Sequence, residues 1–262
     1  MAKYNDLDIA NWKNYNEIYT DTLWLIDKRD NSGMHSGSYH GNFIPQIPYQ
    51  LFKRYTKKND WVLDPFAGSG TSLIEAKYLG RNGIGIELLE EIAIQAKNRI
   101  PKEINPDNKI EIYIDDSRTF NLNKVLQNFK IRNVQFVIFH PPYWNIIKFS
   151  EDKRDLSNAN SIEEFLFGFG KVIDNACGVL EKNRYCAIVI GDMYLNSEIV
   201  PLGFKCMNLF LDRGYKLKAI IVKNFEETKG KLNQKQIWRY RALASDFYIF
   251  KHEYIMVFKK VK

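Results

Sequence analysis

From Trp61 onward, short β-branched or aromatic runs alternate with segments of helical period, and this constrains the fold more than any other feature. The strand-like runs are WVLDP, GIGIE, KIEIYIDD, VQFVIF, YCAIVI, YKLKAIIV and EYIMVFK. The helical segments are TSLIEAKYLG, closed by Gly80, LEEIAIQAKNRI, stopped by Pro101, LNKVLQNF, SIEEFLFGFGKVIDNACGVLEK and PLGFKCMNLFLDRG. Ser161 reads as the N-cap of the longest, with Glu164 as its capping-box partner. Pro201 opens the last helix and Gly214 ends it. Alternating strands and helices predict an α/β fold with an open, mostly parallel sheet covered on both faces. Ligands of such sheets sit beyond the carboxyl ends of the strands, where the strand order reverses.

Three segments stand outside the alternation. Residues 1–50 are polar and aromatic and include NSGMHSGSYHGNF. Residues 145–160 form a charged loop after the fourth strand. Residues 224–252 form an insert before the last strand, leaving no room there for a standard helical crossover. With no repeat and no second-domain linker, the chain 1–262 reads as one domain.

The strand ends carry the chemistry. The first strand runs into DPFAGSGT, residues 64–71, whose glycines allow a tight turn and close approach of a ligand to the backbone. The following helix presents free N–H groups. The Gly-Lys-Ser/Thr ending of a phosphate loop is absent. The second strand ends in Glu87, roughly 20 positions on, where dinucleotide folds hold a ribose diol. A first-turn acid of the next helix is the alternative. The third ends in Asp115, Asp116 and Ser117, where an aspartate suits an exocyclic amine or simply a solvated turn. The fourth ends in HPPYW, residues 140–144.

DPFAGSGT followed much later by PPYW resembles the S-adenosylmethionine-dependent amino-methyltransferases of DNA, which methylate adenine N6 or cytosine N4. The resemblance runs from about Phe43 through the last strand. It implies a Rossmann-like methyltransferase domain, a seven-stranded sheet with a reversed last strand. By match, Asp64, Phe66, Gly68, Gly70 and Thr71 would line the cofactor, Glu87 would hold its ribose, and Asp116 and Ser117 its adenine end. HGNFIPQIPYQLFKRY, with Phe43, resembles the segment that covers the methionine end. The motif order resembles the class in which target recognition comes last or on another subunit.

An exocyclic amine is a poor nucleophile, because its lone pair is delocalised into the ring. Hydrogen-bond acceptors and in-line positioning correct this without a covalent intermediate. On this reading the Pro141 carbonyl, aimed by the rigid Pro141–Pro142 pair, takes one amine proton. His140 takes the other, and Tyr143 stacks on a base flipped from the duplex. Trp144 either extends that wall against nucleic acid or anchors the loop in the core. His140 departs from the family's Asp, Asn or Ser, which removes the usual hint to the base; the family's frequency leans to adenine. A neutral imidazole still accepts through one nitrogen. Methylation is therefore expected to fail as His140 protonates, near the unperturbed value of about 6.5. The alternative is that His140 points away and Pro141 alone serves the amine.

A net charge of +7 favours a polyanionic partner. Lys148, Lys153 and Arg154 in the catalytic loop are expected to meet double-stranded DNA. So are Lys229, Lys231, Lys235, Arg239 and Arg241 in the insert, interleaved with Trp238 and Tyr240. The insert is short for a recognition domain, so a second copy or a separate recognition subunit enters as a partner. An RNA base methyltransferase and a non-catalytic subunit of a methyltransferase complex are the competing functions. The three cysteines and four histidines stand in no metal spacing, so no metal is expected and the thiols read as buried and reduced. No apolar run nears the roughly 20 residues of a membrane helix. The N-terminus lacks a signal-peptide layout, giving a cytoplasmic expectation.

Overall fold

The computed structural model describes residues 4–37, 39, 41–225 and 235–261. The expected alternation appears as β2 (Trp61–Asp64), α2 (Thr71–Tyr78), β3 (Asn82–Glu87), α3 (Glu90–Arg99), β4 (Ile110–Ile114), α4 (Leu122–Asn128) and β5 (Val134–Phe139). It continues through α5 (Ile162–Gly178), β6 (Leu180–Ile190), α6 (Leu202–Asp212), β9 (Lys216–Asn224) and β10 (His252–Lys259). Apart from three short 3-10 helices, the remaining elements among the described residues are β1 (Leu23–Trp24), α1 (Gln46–Tyr55), a hairpin of β7 (Met193–Leu195) and β8 (Glu198–Val200), and α7 (Lys235–Ala244).

The main sheet has the order β1-β9-β10-β6-β5-β2-β3-β4. β10 runs antiparallel to both of its neighbours, and the other pairings are parallel. The seven expected strands and the reversed last one are thus present. The eighth strand, β1, was not anticipated: Leu23 and Trp24 pair with Val222 and Lys223, so the N-terminal segment covers the β9 edge.

Side-chain alternation builds one core on each face. Phe136 and Ile138 of β5, Ala187 and Val189 of β6, and Ile255 and Val257 of β10 join Leu51 and Phe52 of α1. Their sequence neighbours Val137, Phe139, Cys186, Ile188, Met256 and Phe258 join Phe169 of α5 and Phe210 of α6. A strand buried on both faces must be apolar throughout, which is why VQFVIF and CAIVI do not alternate with polar residues. All three cysteines are free and buried.

Two helical expectations shift. The long helix stops at Gly178 instead of running through Lys182, because Leu180 pairs with Val134 and begins β6. Its start follows expectation, with Ser161 Oγ accepting the Glu164 N–H, although the Glu164 carboxylate takes the Asn160 N–H in place of that of Ser161. Part of the insert is helical, as α7.

The topology fixes the site. β3 and β4 lie on one side of β2, while β5 and β6 lie on the other. The order therefore reverses between β2 and β5, whose carboxyl ends carry DPFAGSGT and HPPYW.

Candidate active site

A cavity of about 880 Å³ opens at this reversal. It is lined by Phe43, Asp64, Phe66, Gly68, Thr71, Glu87, Asp116 and Ser117, and by His140, Pro141, Pro142, Tyr143 and Arg154. Residues expected to hold cofactor and residues expected to handle a base thus share one space.

In the first half, the loop after β2 is bonded both within itself and to the segments at the ends of β3 and β4. Asp64 accepts the Phe66 N–H at 2.9 Å and the Ser72 hydroxyl. Burial pushes its carboxyl up to about 6 despite those bonds. Gly68 (φ 49°) donates its N–H to Glu87 at 2.8 Å, and Leu89 donates to the other Glu87 oxygen at 2.9 Å. Burial raises the Glu87 carboxyl against these bonds. Gly70 does not line the cavity. It caps α2 at φ 83°, where a Cβ would lie 3.2 Å from that of Ala96 on α3. The Ser117 hydroxyl donates to the Pro65 carbonyl at 2.5 Å.

Asp116 lines the cavity, but its carboxylate is already engaged. Its carboxylate is gripped by the Arg118 guanidinium at 2.6–3.0 Å and also accepts the Arg118 N–H. Burial pushes the group up, but the Arg118 bonds outweigh it and hold the carboxyl below its usual value. Neighbouring Asp115 also lines the cavity. The segment preceding the domain core packs on the loop: Asn42 accepts the Ser69 hydroxyl at 2.6 Å, and the Tyr39 ring packs over Gly68 and stacks on Phe149.

The second half is built on the HPPY turn. The His140 ring lies 4.9 Å from Phe43 and edge-on to Tyr143 at 5.8 Å, centroid to centroid. Among the described residues nothing hydrogen-bonds either His140 nitrogen, and no donor reaches the Pro141 carbonyl. Burial lowers the His140 pKa to about 4, helped by Lys223 and opposed by Glu253. The titration expected near 6.5 is therefore displaced downward, because desolvation penalises the imidazolium.

Tyr143 donates its phenol to Glu253 at 3.0 Å, and Lys223 donates to the other oxygen of Glu253 at 3.1 Å. Glu253 and Lys223 face each other across β10 and β9. Burial, with Glu253 adding to it, holds the Tyr143 phenol well above its usual range. The sequence reading missed this pair. The available signal was a lysine inside AIIVKN and a glutamate at the start of EYIMVF, charges in strands otherwise fit for burial. Asp192 was missed as well; it lines the cavity and accepts the Gly203 N–H at 2.9 Å and the Tyr254 hydroxyl at 3.2 Å.

The residues expected against nucleic acid divide. Trp144 belongs to the core: it is 5% exposed, and its indole N–H donates to the Ala159 carbonyl at 2.8 Å. It anchors the loop and presents no face to a duplex. Lys148 is exposed but paired with Glu151 at 2.5 Å, and Arg154 with Asp152 at 2.7 Å. Lys153 is exposed. Arg239 and Arg241 are exposed on α7, the latter 5.2 Å over the ring of Trp238, which itself lines the cavity. Lys235 opens α7, and its side chain lies outside the described residues, as do Lys229 and Lys231. Among the described residues no three His, Cys, Asp or Glu side chains converge as a metal site, and no helix is long and apolar enough to cross a membrane.

The fold resembles that of a SAM-dependent methyltransferase from Methanosarcina mazei, 14% identical, over 81% of this chain and 98% of that one, with a TM-score of 0.51. In sequence, the chain is 28% identical over 123 residues to the Type II methyltransferase M.MthZI of Methanothermobacter thermautotrophicus, covering 45% of this chain and 34% of the relative. It is 42% identical over 106 residues to the Type II methyltransferase M2.LlaDCHI of Lactococcus lactis subsp. cremoris, covering 39% and 34%. The matched stretches thus span about a third of those relatives' lengths. The profile of the DNA methylase family matches residues 2–98 and 134–262, which include both the glycine loop and the HPPY turn. With most of its length matched, the chain belongs to the DNA methylase family.

Proposed function

We propose that this protein transfers a methyl group from S-adenosylmethionine to the exocyclic amine of a base flipped out of double-stranded DNA, adenine N6 ahead of cytosine N4. The observation that carries this reading is the pair of unpartnered acceptors, His140 and the Pro141 carbonyl, opening onto the same cavity as the glycine loop. Family membership and the Type II relatives support it, and a part in restriction–modification methylation goes with the same reading.

The first half of the cavity fits the cofactor. Phe66, Ile86 and Leu88 offer apolar surface for a purine. Each Glu87 oxygen receives one backbone N–H and keeps a lone pair for a ribose hydroxyl. With Asp116 held by Arg118, Asp115 is the freer carboxylate for the adenine amine. When bound, the cofactor supplies an electrophilic methyl on a sulfonium.

The chain's own residues then prepare the nucleophile. The Pro141 carbonyl and one His140 nitrogen accept the two amine hydrogens and draw the nitrogen toward tetrahedral geometry. With a pKa lowered to about 4, His140 is an acceptor and not a strong base. That suffices, because the methylated, positively charged amine is itself strongly acidic. Tyr143 supplies the ring against which the base stacks. The exposed arginines of α7 and Lys153 meet phosphates, with a second copy or a recognition subunit adding sequence reading.

The test is transfer of tritiated methyl from S-adenosylmethionine to duplex DNA amplified in vitro, with tRNA alongside. Label on DNA that disappears in His140→Ala supports the reading. Label on tRNA alone, or cofactor binding without transfer to either, overturns it.

A further inference from the structure

The Lys223–Glu253 pair is an expensive way to fill strand positions. The two side chains are only 7% and 11% exposed. At that burial the desolvation of both charges offsets most of their attraction, and an apolar pair of similar size stabilises as well or better. The pair is therefore weak evidence for a stability role, and what else the carboxylate holds becomes the informative question. One oxygen is taken by Lys223, the other by the Tyr143 phenol. The ammonium thus fixes the carboxylate, and the carboxylate fixes the ring.

Elsewhere the ring is held only by packing, against the main core and edge-on to His140, contacts that are not directional hydrogen bonds. Its flank toward Gly191 meets no side chain there, although an added Cβ would stand 3.1 Å from the ring. The His140 contact is edge-on at 5.8 Å. The bond to Glu253 is the one hydrogen bond of this side chain among the described residues. The backbone of the turn is fixed by the two prolines before Tyr143 and by buried Trp144 after it, so the freedom left for Glu253 to remove is that of the Tyr143 side chain.

We propose that Glu253, itself held by Lys223, is a positioning residue for methyl transfer: it sets the plane of the Tyr143 ring on which the flipped base stacks, without touching the reacting amine. This rests on the methyl-transfer reading above. A misplacement of about 1 Å in such a device costs on the order of a hundredfold in rate.

The test compares Tyr143→Phe, the apolar pair Lys223→Met with Glu253→Leu, and all three substitutions combined. Each protein is assayed with tritiated S-adenosylmethionine on DNA amplified in vitro. Tyr143→Phe and the apolar pair are each expected to lower kcat by about 10- to 100-fold, with KM for S-adenosylmethionine unchanged. The triple variant is expected to be no slower than the worse of the two, because both cut the same tether. Glu253→Gln keeps an acceptor and is expected to fall between wild type and the apolar pair. Losses that multiply in the triple variant, or a KM for cofactor that rises in step with the fall in kcat, overturn the proposal. Hydrogen exchange at the amides of residues 143–147 provides a readout independent of activity. Exchange should quicken there in the apolar pair while β5 stays protected, and an unchanged loop overturns the positioning role. Should wild type label no DNA, the methyl-transfer reading fails, and the exchange result still decides whether Glu253 holds Tyr143.

Discussion

The two halves of the cavity are built on opposite principles. Around the glycine loop, Asp64, Glu87 and Ser117 spend hydrogen-bonding capacity on backbone within the same wall. Around the HPPY turn, His140 and the Pro141 carbonyl are left without partners and only Tyr143 is tied, to strands far away in sequence. The first half is a mould completed by hydrogen bonds among adjoining strand ends. The second is a set of open acceptors on a rigid turn, and unmet acceptors in a half-buried place are costly unless a ligand meets them. On the proposed function, the contrast matches a cofactor held in one pose and a base presented for chemistry.

Substituting the open half should have the largest effect. His140→Ala is expected to lower kcat by about a hundredfold or more while leaving S-adenosylmethionine affinity intact. His140→Asn, which restores a carbonyl acceptor, should recover most of the rate. If His140→Ala instead weakens cofactor binding and spares kcat, the division into halves is wrong.

The closed half should respond in the other parameter. Glu87→Ala removes the acceptor of the Gly68 and Leu89 N–H groups. Bonds to a charged group are worth about 1.5–3 kcal/mol, so KM for cofactor should rise by roughly 10- to 100-fold. Calorimetric titration with S-adenosylmethionine checks this directly. A lost kcat with unchanged affinity would place Glu87 in the chemistry.

Smaller effects follow outside both halves. Trp144→Phe loses one buried bond to Ala159, about 1 kcal/mol, and should lower Tm by roughly 2–4 °C. DNA affinity, read by fluorescence anisotropy, should not move. A weakened duplex complex with unchanged Tm would return Trp144 to the nucleic-acid face.

The smallest expected effect is that of pH. His140 is neutral until about 4, so the rate of the chemical step should be flat from pH 8 to about 5.5. The unfolded chain takes up the proton near 6.5 and the fold refuses it until about 4. The unfolded state thus binds more protons in that window, and the stability contributed by neutral His140 is lost as pH falls from about 6.5 toward 4. A rate that halves near 6.5 in single-turnover experiments would show an imidazole more solvated than this one.

The same contrast governs what the sequence makes legible. The glycine loop is local: Asp64 through Thr71 carry their turn, their helix start and their ligand-facing backbone within eight residues. The apolar runs of β5, β6 and β10 announce strands buried on both faces. The open half is assembled from residues 140–143, 191, 223 and 253. No local pattern links a lysine to a glutamate thirty positions on, or either to Tyr143; register across β9 and β10 does so. Trp144 shows the same limit, since its partner Ala159 lies across a loop of irregular backbone. Asp116 differs in kind: its partner is two residues away, but a bidentate Arg118 grip depends on side-chain geometry that spacing does not specify. The pairing of Lys148 and Arg154 with Glu151 and Asp152 was visible as nearby charge, and it offsets two of the three basic residues named in that loop.

The most direct measurement is the identity of the methylated nucleoside. DNA amplified in vitro is incubated with the protein and S-adenosylmethionine, digested completely and analysed by liquid chromatography with mass spectrometry. Acceptors aimed at an exocyclic amine predict N6-methyladenine or N4-methylcytosine as the sole product, with adenine expected first. Methyl on a ring carbon, as in 5-methylcytosine, or no methylated nucleoside at all, would contradict the assignment of His140 and Pro141.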